Sequence, residues 1–104
     1  MMIAKVTGSL VATQKVETMV GRKLMLVEIY RLDPATRGSL ATSGRVLVAV
    51  DTVGAGEGEM VLITQGSSAR LTPETKTLPV DTVIIGILDT VHVAQTCVYN
   101  KEQK

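Results

Sequence analysis

The first part of the chain alternates apolar and polar residues with a period of two. This alternation runs through Ile3–Thr13 and predicts a strand with one exposed face. Gly8 lies in the middle of it and indicates a bend or a close approach of backbone. Lys23–Arg31 predicts the second strand, with aliphatic side chains on both faces.

Two apolar runs in the middle of the chain are separated by a glycine-rich segment. Val46–Val50 and Met60–Thr64 are rich in β-branched residues and predict buried strands. Gly54–Gly58 lies between them and predicts a turn, so we expect these two strands to form a hairpin. Leu32–Gly44 carries Asp-Pro, glycine and serine, which are typical of a loop.

The last third of the chain contains a long connection, one more strand and a polar end. Gly66–Pro79 has no extended pattern, but Thr72-Pro73-Glu74 predicts one helical turn with Thr72 as its N-cap. Val80–Val93 predicts the last strand. We therefore expect a barrel domain over residues 1–93 and a loosely held polar C-terminal tail over residues 94–104.

Together these elements predict an all-β fold, a small five-stranded OB-like barrel with a short helical insert before the last strand. The second to fifth strands carry aliphatic residues on both faces, although a small barrel has only one interior. Apolar outer faces of that size are rare on monomers, because they require cover from another chain. The pattern therefore predicts an obligate homo-oligomer.

Composition narrows the function classes. The 104 residues carry a formal net charge of +1, with two tyrosines and no phenylalanine or tryptophan. Such a balance gives no electrostatic reason to expect nucleic acid or an anionic membrane as partner. No apolar run approaches the roughly twenty residues that span a bilayer, and the single cysteine excludes an internal disulfide. We expect a soluble, cytoplasmic protein.

The glycine-rich segment also invites comparison with nucleotide-binding motifs. In Gly54-Ala55-Gly56-Glu57-Gly58 the third glycine comes one residue too early for a dinucleotide fingerprint, and a strand follows instead of a helix. A Walker A loop would end in Gly-Lys-Ser/Thr, which is missing here. We therefore favour a structural turn and expect no cofactor.

Candidate catalytic and metal-binding residues are few. His92 is the only histidine and has no second histidine or cysteine at ligand spacing, so a metal site is not expected. Cys97 lacks a partner base and is interpreted as an inert thiol. Ser67 and Ser68 could be nucleophiles, but the sequence shows no Ser-His-Asp set for them apart from the lone His92. We therefore interpret them as corner or capping residues.

Several carboxylates could act as an acid–base pair or form ion pairs between subunits with Arg45, Arg70 or Lys23. They are Asp51, Asp81, Asp89, Glu57 and Glu59. We favour ion pairing, because no complete catalytic set accompanies them, and we expect no enzymatic activity.

Several motifs over residues 2–93 occur together in one known family. They are Gly8 with Ala12-Thr13-x-Lys15, Gly21-x-Lys23-Leu24, Val48-Ala49-Val50-Asp51-x-Val53-Gly54-Ala55-Gly56-x-Gly58-Glu59-x-Val61, Gly66-Ser67-Ser68-Ala69-Arg70, and Pro79-Val80-Asp81-x-x-Ile84-x-Gly86-Ile87-x-Asp89. With these residues the sequence resembles the pentameric vertex shell proteins of bacterial microcompartments, the family of carboxysome and ethanolamine-utilisation vertex proteins.

The resemblance implies a homopentamer at the vertices of a microcompartment shell in the bacterial cytoplasm. Its partners would be hexameric and pseudohexameric shell proteins, and it would bind neither nucleic acid nor a membrane. It implies contact with hexameric tiles at Gly54, Ala55, Gly56, Gly58 and Glu59, and a five-fold axis or pore lined by Gly66, Ser67, Ser68 and Ala69. Arg70 would brace that corner or the subunit interface through Asp81 or Asp89.

The alternative function is an OB-fold oligonucleotide-binding protein. Such proteins stack bases on aromatic side chains and follow the backbone with a basic groove. Two tyrosines and a balanced charge argue against it. A small enzyme that uses the carboxylates is a further alternative, and it would need a pocket holding a strongly perturbed acid.

Overall fold

The structure, a computed structural model, describes residues 1–11, 23–36, 38–66 and 81–102. Its strands are β1 (Met2–Leu10), β2 (Leu24–Leu32), β3 (Leu40–Asp51), β4 (Met60–Gln65), β5 (Thr82–Ile87), β6 (Thr90–Val93) and β7 (Thr96–Asn100). Strands β1 to β5 close into a barrel in the order β1-β2-β3-β5-β4, whereas β6 and β7 form a separate two-stranded sheet. The predicted all-β fold with a five-stranded barrel is confirmed.

The predicted helical turn at Thr72-Pro73-Glu74 lies outside the described residues. Within the part of the chain that the structure describes, no helix is long and apolar enough to cross a membrane.

The barrel interior is filled by alternate residues of each strand. On β2, for example, Met25, Val27 and Ile29 are buried, while the residues between them are partly exposed. The interior cluster comprises Ala4, Val6, Met25, Val27, Ile29, Ala49, Ala55, Val61, Ile63 and Ile84. The pairing of β1 with β2 shifts register between Val6 and Gly8, which agrees with the bend predicted at Gly8.

The predicted hairpin between the third and fourth strands is wrong. Strand β3 pairs with β2 and, at Val50 and Asp51, runs parallel to β5, whereas β4 pairs with β1 and β5. The connection of residues 52–59 is longer than a tight turn and buries Ala55 in the core. It lies against β1, where Gly58 N–H donates to the Val6 carbonyl (2.8 Å), and so it leads β4 away from β3.

The bounds of two other elements also differ from prediction. Strand β3 begins at Leu40, inside the predicted loop Leu32–Gly44, because Leu40 pairs with Leu32 at the end of β2. The predicted last strand, Val80–Val93, is divided into β5 and β6. The division falls where Leu88 N–H donates to the Met60 carbonyl (2.9 Å).

The predicted polar tail contains β7, which pairs with β6. Residue 93, the predicted end of the barrel domain, is the last residue of β6. The turn between these strands consists of Ala94 and Gln95, with φ of 50° and 68°. Both angles are in the left-handed region that favours glycine and asparagine, and neither residue is a typical occupant. The sequence therefore gave little sign of this hairpin.

Candidate assembly surfaces

The connection of residues 52–59 is shaped by the carboxylate of Asp51 at the end of β3. Asp51 Oδ1 accepts hydrogen bonds from the backbone N–H groups of Val53 (3.0 Å) and Gly54 (3.1 Å). Gly54 has a φ of 79°, which an L-residue with a side chain rarely adopts. A short polar side chain at the strand end therefore fixes the start of this connection.

The second oxygen of Asp51 faces Lys23 of the same chain. The side chain of Asp51 is 1% exposed, and Lys23 Nζ lies 3.7 Å from Oδ2, which has no hydrogen-bond partner among the described residues. Lys23 Nζ also donates to the Ala55 carbonyl (3.3 Å). This ion pair is therefore within one subunit and joins the start of β2 to the connection, rather than between subunits as the sequence suggested.

Glu59 holds the other end of the connection. Its Oε1 accepts the backbone N–H of Gly56 at 2.6 Å, and its Oε2 lies 3.4 Å from Lys101 Nζ. Gly58 has a φ of 89° and lies on the surface. The carboxylate of Glu59 therefore makes its contacts within the subunit. It joins the connection to Lys101, which directly follows the C-terminal hairpin formed by β6 and β7.

Only part of this connection offers side chains to another protein. Ala55, one of the predicted tile contacts, is fully buried, so its methyl group packs in the core and cannot contact a tile. Val53 is 40% exposed, and Glu57 is exposed as well. Neither side chain is among the tile contacts predicted from the sequence, because the glycine pattern points to their neighbours.

The outer face of the barrel carries an apolar strip on β3 and the adjacent β2. Val46 and Val48 are 52% and 49% exposed, and Val48 lies opposite the half-buried Leu26 on β2. A second group of apolar residues continues on the outside, where Leu24 and Ile85 pack against the buried Val50 and Val83. We call Leu26, Val46 and Val48 the outer strip. It agrees with the predicted surplus of aliphatic residues on the outer faces.

The corner predicted at the five-fold axis is described only at its ends. Gly66 N–H donates to the Asp81 carbonyl (2.8 Å), which joins the end of β4 to the residue before β5. Ser67, Ser68, Ala69 and Arg70 lie outside the described residues. Asp89 follows the opposite end of β5, about 20 Å away for a six-residue strand, where its carbonyl accepts Lys101 N–H (2.8 Å). The structure therefore brings Asp81, and not Asp89, to the Gly66 corner.

An open cleft of about 590 Å³ lies between the barrel and the C-terminal hairpin. Both tyrosines of the chain, Tyr30 and Tyr99, line it, together with Lys5 and Lys101. Since the chain has no other aromatic residue, no row of aromatic side chains is available for base stacking elsewhere.

His92 and Cys97 are directly opposite each other on β6 and β7. Both side chains are exposed. In the sequence the two residues look isolated, because the short turn that brings them together lacks the usual turn residues. Among the described residues, no group of three or more histidine, cysteine, aspartate or glutamate side chains is arranged to hold a metal ion.

Comparison with known proteins agrees with the architecture of a small all-β barrel. The family described as "Ethanolamine utilisation protein EutN/carboxysome" matches residues 1–89. The chain is 41% identical to the carboxysome shell vertex protein CcmL of Synechocystis sp. over 105 residues, which cover 97% of this chain and 95% of that protein. It is 46% identical to the bacterial microcompartment shell vertex protein PduN of Salmonella typhimurium, over 86% of this chain and 97% of that protein.

Solved structures give the same result. CcmL of Gloeobacter violaceus superimposes with a TM-score of 0.86 at 40% identity, covering 99% of this chain and 100% of that one. GrpN, a pentameric microcompartment shell protein from Rhodospirillum rubrum, superimposes with a TM-score of 0.75 at 38% identity, covering 90% and 99% of the two chains. The chain belongs to the EutN/CcmL family, as its motifs predicted, and its curated relatives are structural shell vertex proteins rather than enzymes.

Proposed function

We propose that this chain is a structural protein that forms the pentameric vertices of a bacterial microcompartment shell. Flat layers of hexameric tiles do not close by themselves, and pentagons supply the curvature that a closed shell needs. Vertex proteins from carboxysomes and from other microcompartments match nearly the whole chain, and a pentameric shell protein shares its fold. The OB-like description of the barrel is supported by its five closed strands and by the parallel β3–β5 pair.

The outer strip is the observation that supports assembly most directly. Its two exposed valines lie on a strand whose inward-facing neighbour, Ala49, is already buried in the barrel. A monomer would leave this apolar surface in water. A second copy of the chain is the partner that we propose for it, in a ring whose interfaces are heterologous.

Oligomeric state tests this proposal through the substitution Val48→Asp. Native mass spectrometry of the wild type should give five chains. Since an unpaired charge buried at an interface costs several kcal/mol, Val48→Asp should release folded monomers at micromolar concentration. Ser9→Asp, on the exposed face of β1, is the matched control and should stay pentameric. A wild type of one or two chains, or a pentameric Val48→Asp, would refute the proposed interface.

The connection of residues 52–59 is our proposed contact with hexameric tiles. Gly54, Gly56 and Gly58 shape it, Glu59 and Asp51 hold it, and Val53 and Glu57 offer their side chains. The Gly66 corner, with Ser67, Ser68 and Ala69, is proposed to face the five-fold axis. For Arg70, the position of Asp81 beside Gly66 supports a brace to Asp81 rather than to Asp89.

A further inference from the structure

The C-terminal hairpin brings together the only histidine and the only cysteine of the chain. His92 and Cys97 form a directly opposed pair on β6 and β7, and the turn of Ala94 and Gln95 closes the hairpin one pair further on. Directly opposed residues of an antiparallel ladder have their Cβ atoms about 4.5–5.5 Å apart, with both side chains on the same face. An imidazole and a thiol are therefore neighbours on an exposed surface.

We propose that His92 and Cys97 together bind a divalent transition-metal ion of the zinc class. A tetrahedral zinc ion is held at about 2.3 Å by a cysteine sulfur and at about 2.0–2.1 Å by a histidine nitrogen. These distances place the two ligand atoms about 3.6 Å apart, which side chains with neighbouring Cβ atoms can reach. Nitrogen and sulfur ligands select zinc and related ions, whereas magnesium and calcium prefer oxygen.

Binding replaces the thiol proton with the metal ion. Cys97 Sγ lies 3.1 Å from the Tyr99 carbonyl oxygen, to which its S–H donates a weak hydrogen bond. The proton passes to solvent as the sulfur–metal bond forms, and no electron is transferred. Since this hydrogen bond is exposed, water replaces the lost donor at little cost.

The site is an exchangeable one rather than a structural zinc site. Two protein ligands leave the remaining positions of a tetrahedral ion to water, and closed structural sites use four protein ligands. The hairpin is already formed by its ladder of backbone pairs, so its fold does not depend on the metal. Occupancy would therefore follow the free metal concentration around the assembled protein.

Cobalt titration of the untagged, reduced full-length protein tests the proposal, because a purification tag rich in histidine would bind the metal itself. Wild type should develop a thiolate-to-cobalt charge-transfer absorption that saturates at one ion per chain and is displaced by Zn²⁺ but not by Mg²⁺. Cys97→Ser should lose this absorption. His92→Gln should require at least tenfold more cobalt for half-saturation, because Cys97 would then be the only protein ligand and the metal ion would no longer be chelated.

A composition-matched control is the double substitution His92→Val with Val93→His. It moves the imidazole to the opposite face of β6, so it should behave like His92→Gln while circular dichroism shows an unchanged fold. Equal cobalt titrations of wild type and His92→Gln would overturn the proposal, since the thiol would then bind alone. The absence of the charge-transfer band from the wild type would overturn it as well.

Discussion

Asp51 shows how one buried carboxylate organises a surface that is built mostly of glycine. Its two oxygens serve different purposes, since one accepts backbone N–H groups of the connection and the other faces Lys23. The sequence identified Asp51 as an ion-pairing residue but did not show that the pair is internal. Its partner is 28 positions away, and the β2–β3 register, in which Leu24 pairs with Val50, brings the two together. Register is set by tertiary packing and turn geometry, which a period of two does not specify.

Removal of this carboxylate should destabilise the subunit. Asp51→Ala leaves the Val53 and Gly54 N–H groups without their acceptor and leaves Lys23 without its counter-ion. Hydrogen bonds to charged groups contribute about 1.5–3 kcal/mol each to stability, so the loss of two of them should lower the free energy of unfolding by about 3 kcal/mol or more. Denaturant unfolding at a fixed protomer concentration measures this loss.

Two further variants make the measurement specific to Asp51. Asp51→Asn keeps an acceptor oxygen and should lose less stability than Asp51→Ala. Glu57→Ala removes an exposed carboxylate from the same connection and should change stability by less than about 0.5 kcal/mol. If Asp51→Ala and Glu57→Ala had equal effects, the role assigned to the buried carboxylate would be wrong.

At the scale of elements, the sequence predicted strands better than it predicted their neighbours. Alternation and β-branched runs located β1, β2 and β4 to within a few residues, because the buried face of a strand leaves a period of two in the sequence. The partner of a strand leaves no such pattern. The connection of residues 52–59 looked like a hairpin turn, but the buried Ala55 shows that it is part of the core.

The C-terminal hairpin was missed because its turn contradicts local preference. Ala94 and Gln95 both have positive φ, which costs about 1–2 kcal/mol for a residue with an ordinary side chain. Asn-Gly is the pair favoured in two-residue turns with positive φ at both positions. Replacement of both residues, Ala94→Asn with Gln95→Gly, should therefore stabilise the hairpin by about 1 kcal/mol.

Hydrogen exchange followed by mass spectrometry can detect this local change. Amides of β6 and β7 should exchange about fivefold more slowly in the Asn-Gly variant, whereas amides of the barrel should not change. Ala35→Asn, an equivalent change in the exposed loop between β2 and β3, should leave hairpin exchange as in the wild type. Unchanged hairpin exchange in the Asn-Gly variant would mean that the turn is not strained.

At the scale of the whole molecule, the physical pattern and the family resemblance contributed different information. The surplus of aliphatic residues predicted that the barrel is covered by another chain, and the exposed Val46 and Val48 agree with it. The number of subunits followed only from the resemblance. A heterologous ring closes at a number set by the angle between its two interface surfaces, and hydrophobic periodicity carries no information about that angle.

The outermost contact that we propose, between pentamer and hexameric tiles, depends on Glu57. Its neighbour Glu59 is already engaged with Lys101 and the Gly56 N–H, whereas no ion pair involves Glu57 among the described residues. An exposed carboxylate on a connection that is held by hydrogen bonds at both ends is available to a positive group on a tile. Glu57→Lys reverses that charge without changing the backbone, so it should weaken recruitment into shells while leaving the pentamer intact.

Shells assembled by co-expression with hexameric shell proteins provide the measurement. The fraction of pentamer that copurifies with closed shells should fall at least severalfold for Glu57→Lys, because like-charge contacts at an interface cost up to several kcal/mol. Glu102→Lys makes the same charge change on the exposed turn after β7 and should be recruited like the wild type. Native mass spectrometry separates failed recruitment from failed pentamer formation. Normal recruitment of Glu57→Lys would exclude this carboxylate from the tile contact, and equal losses for both variants would indicate an effect of net charge.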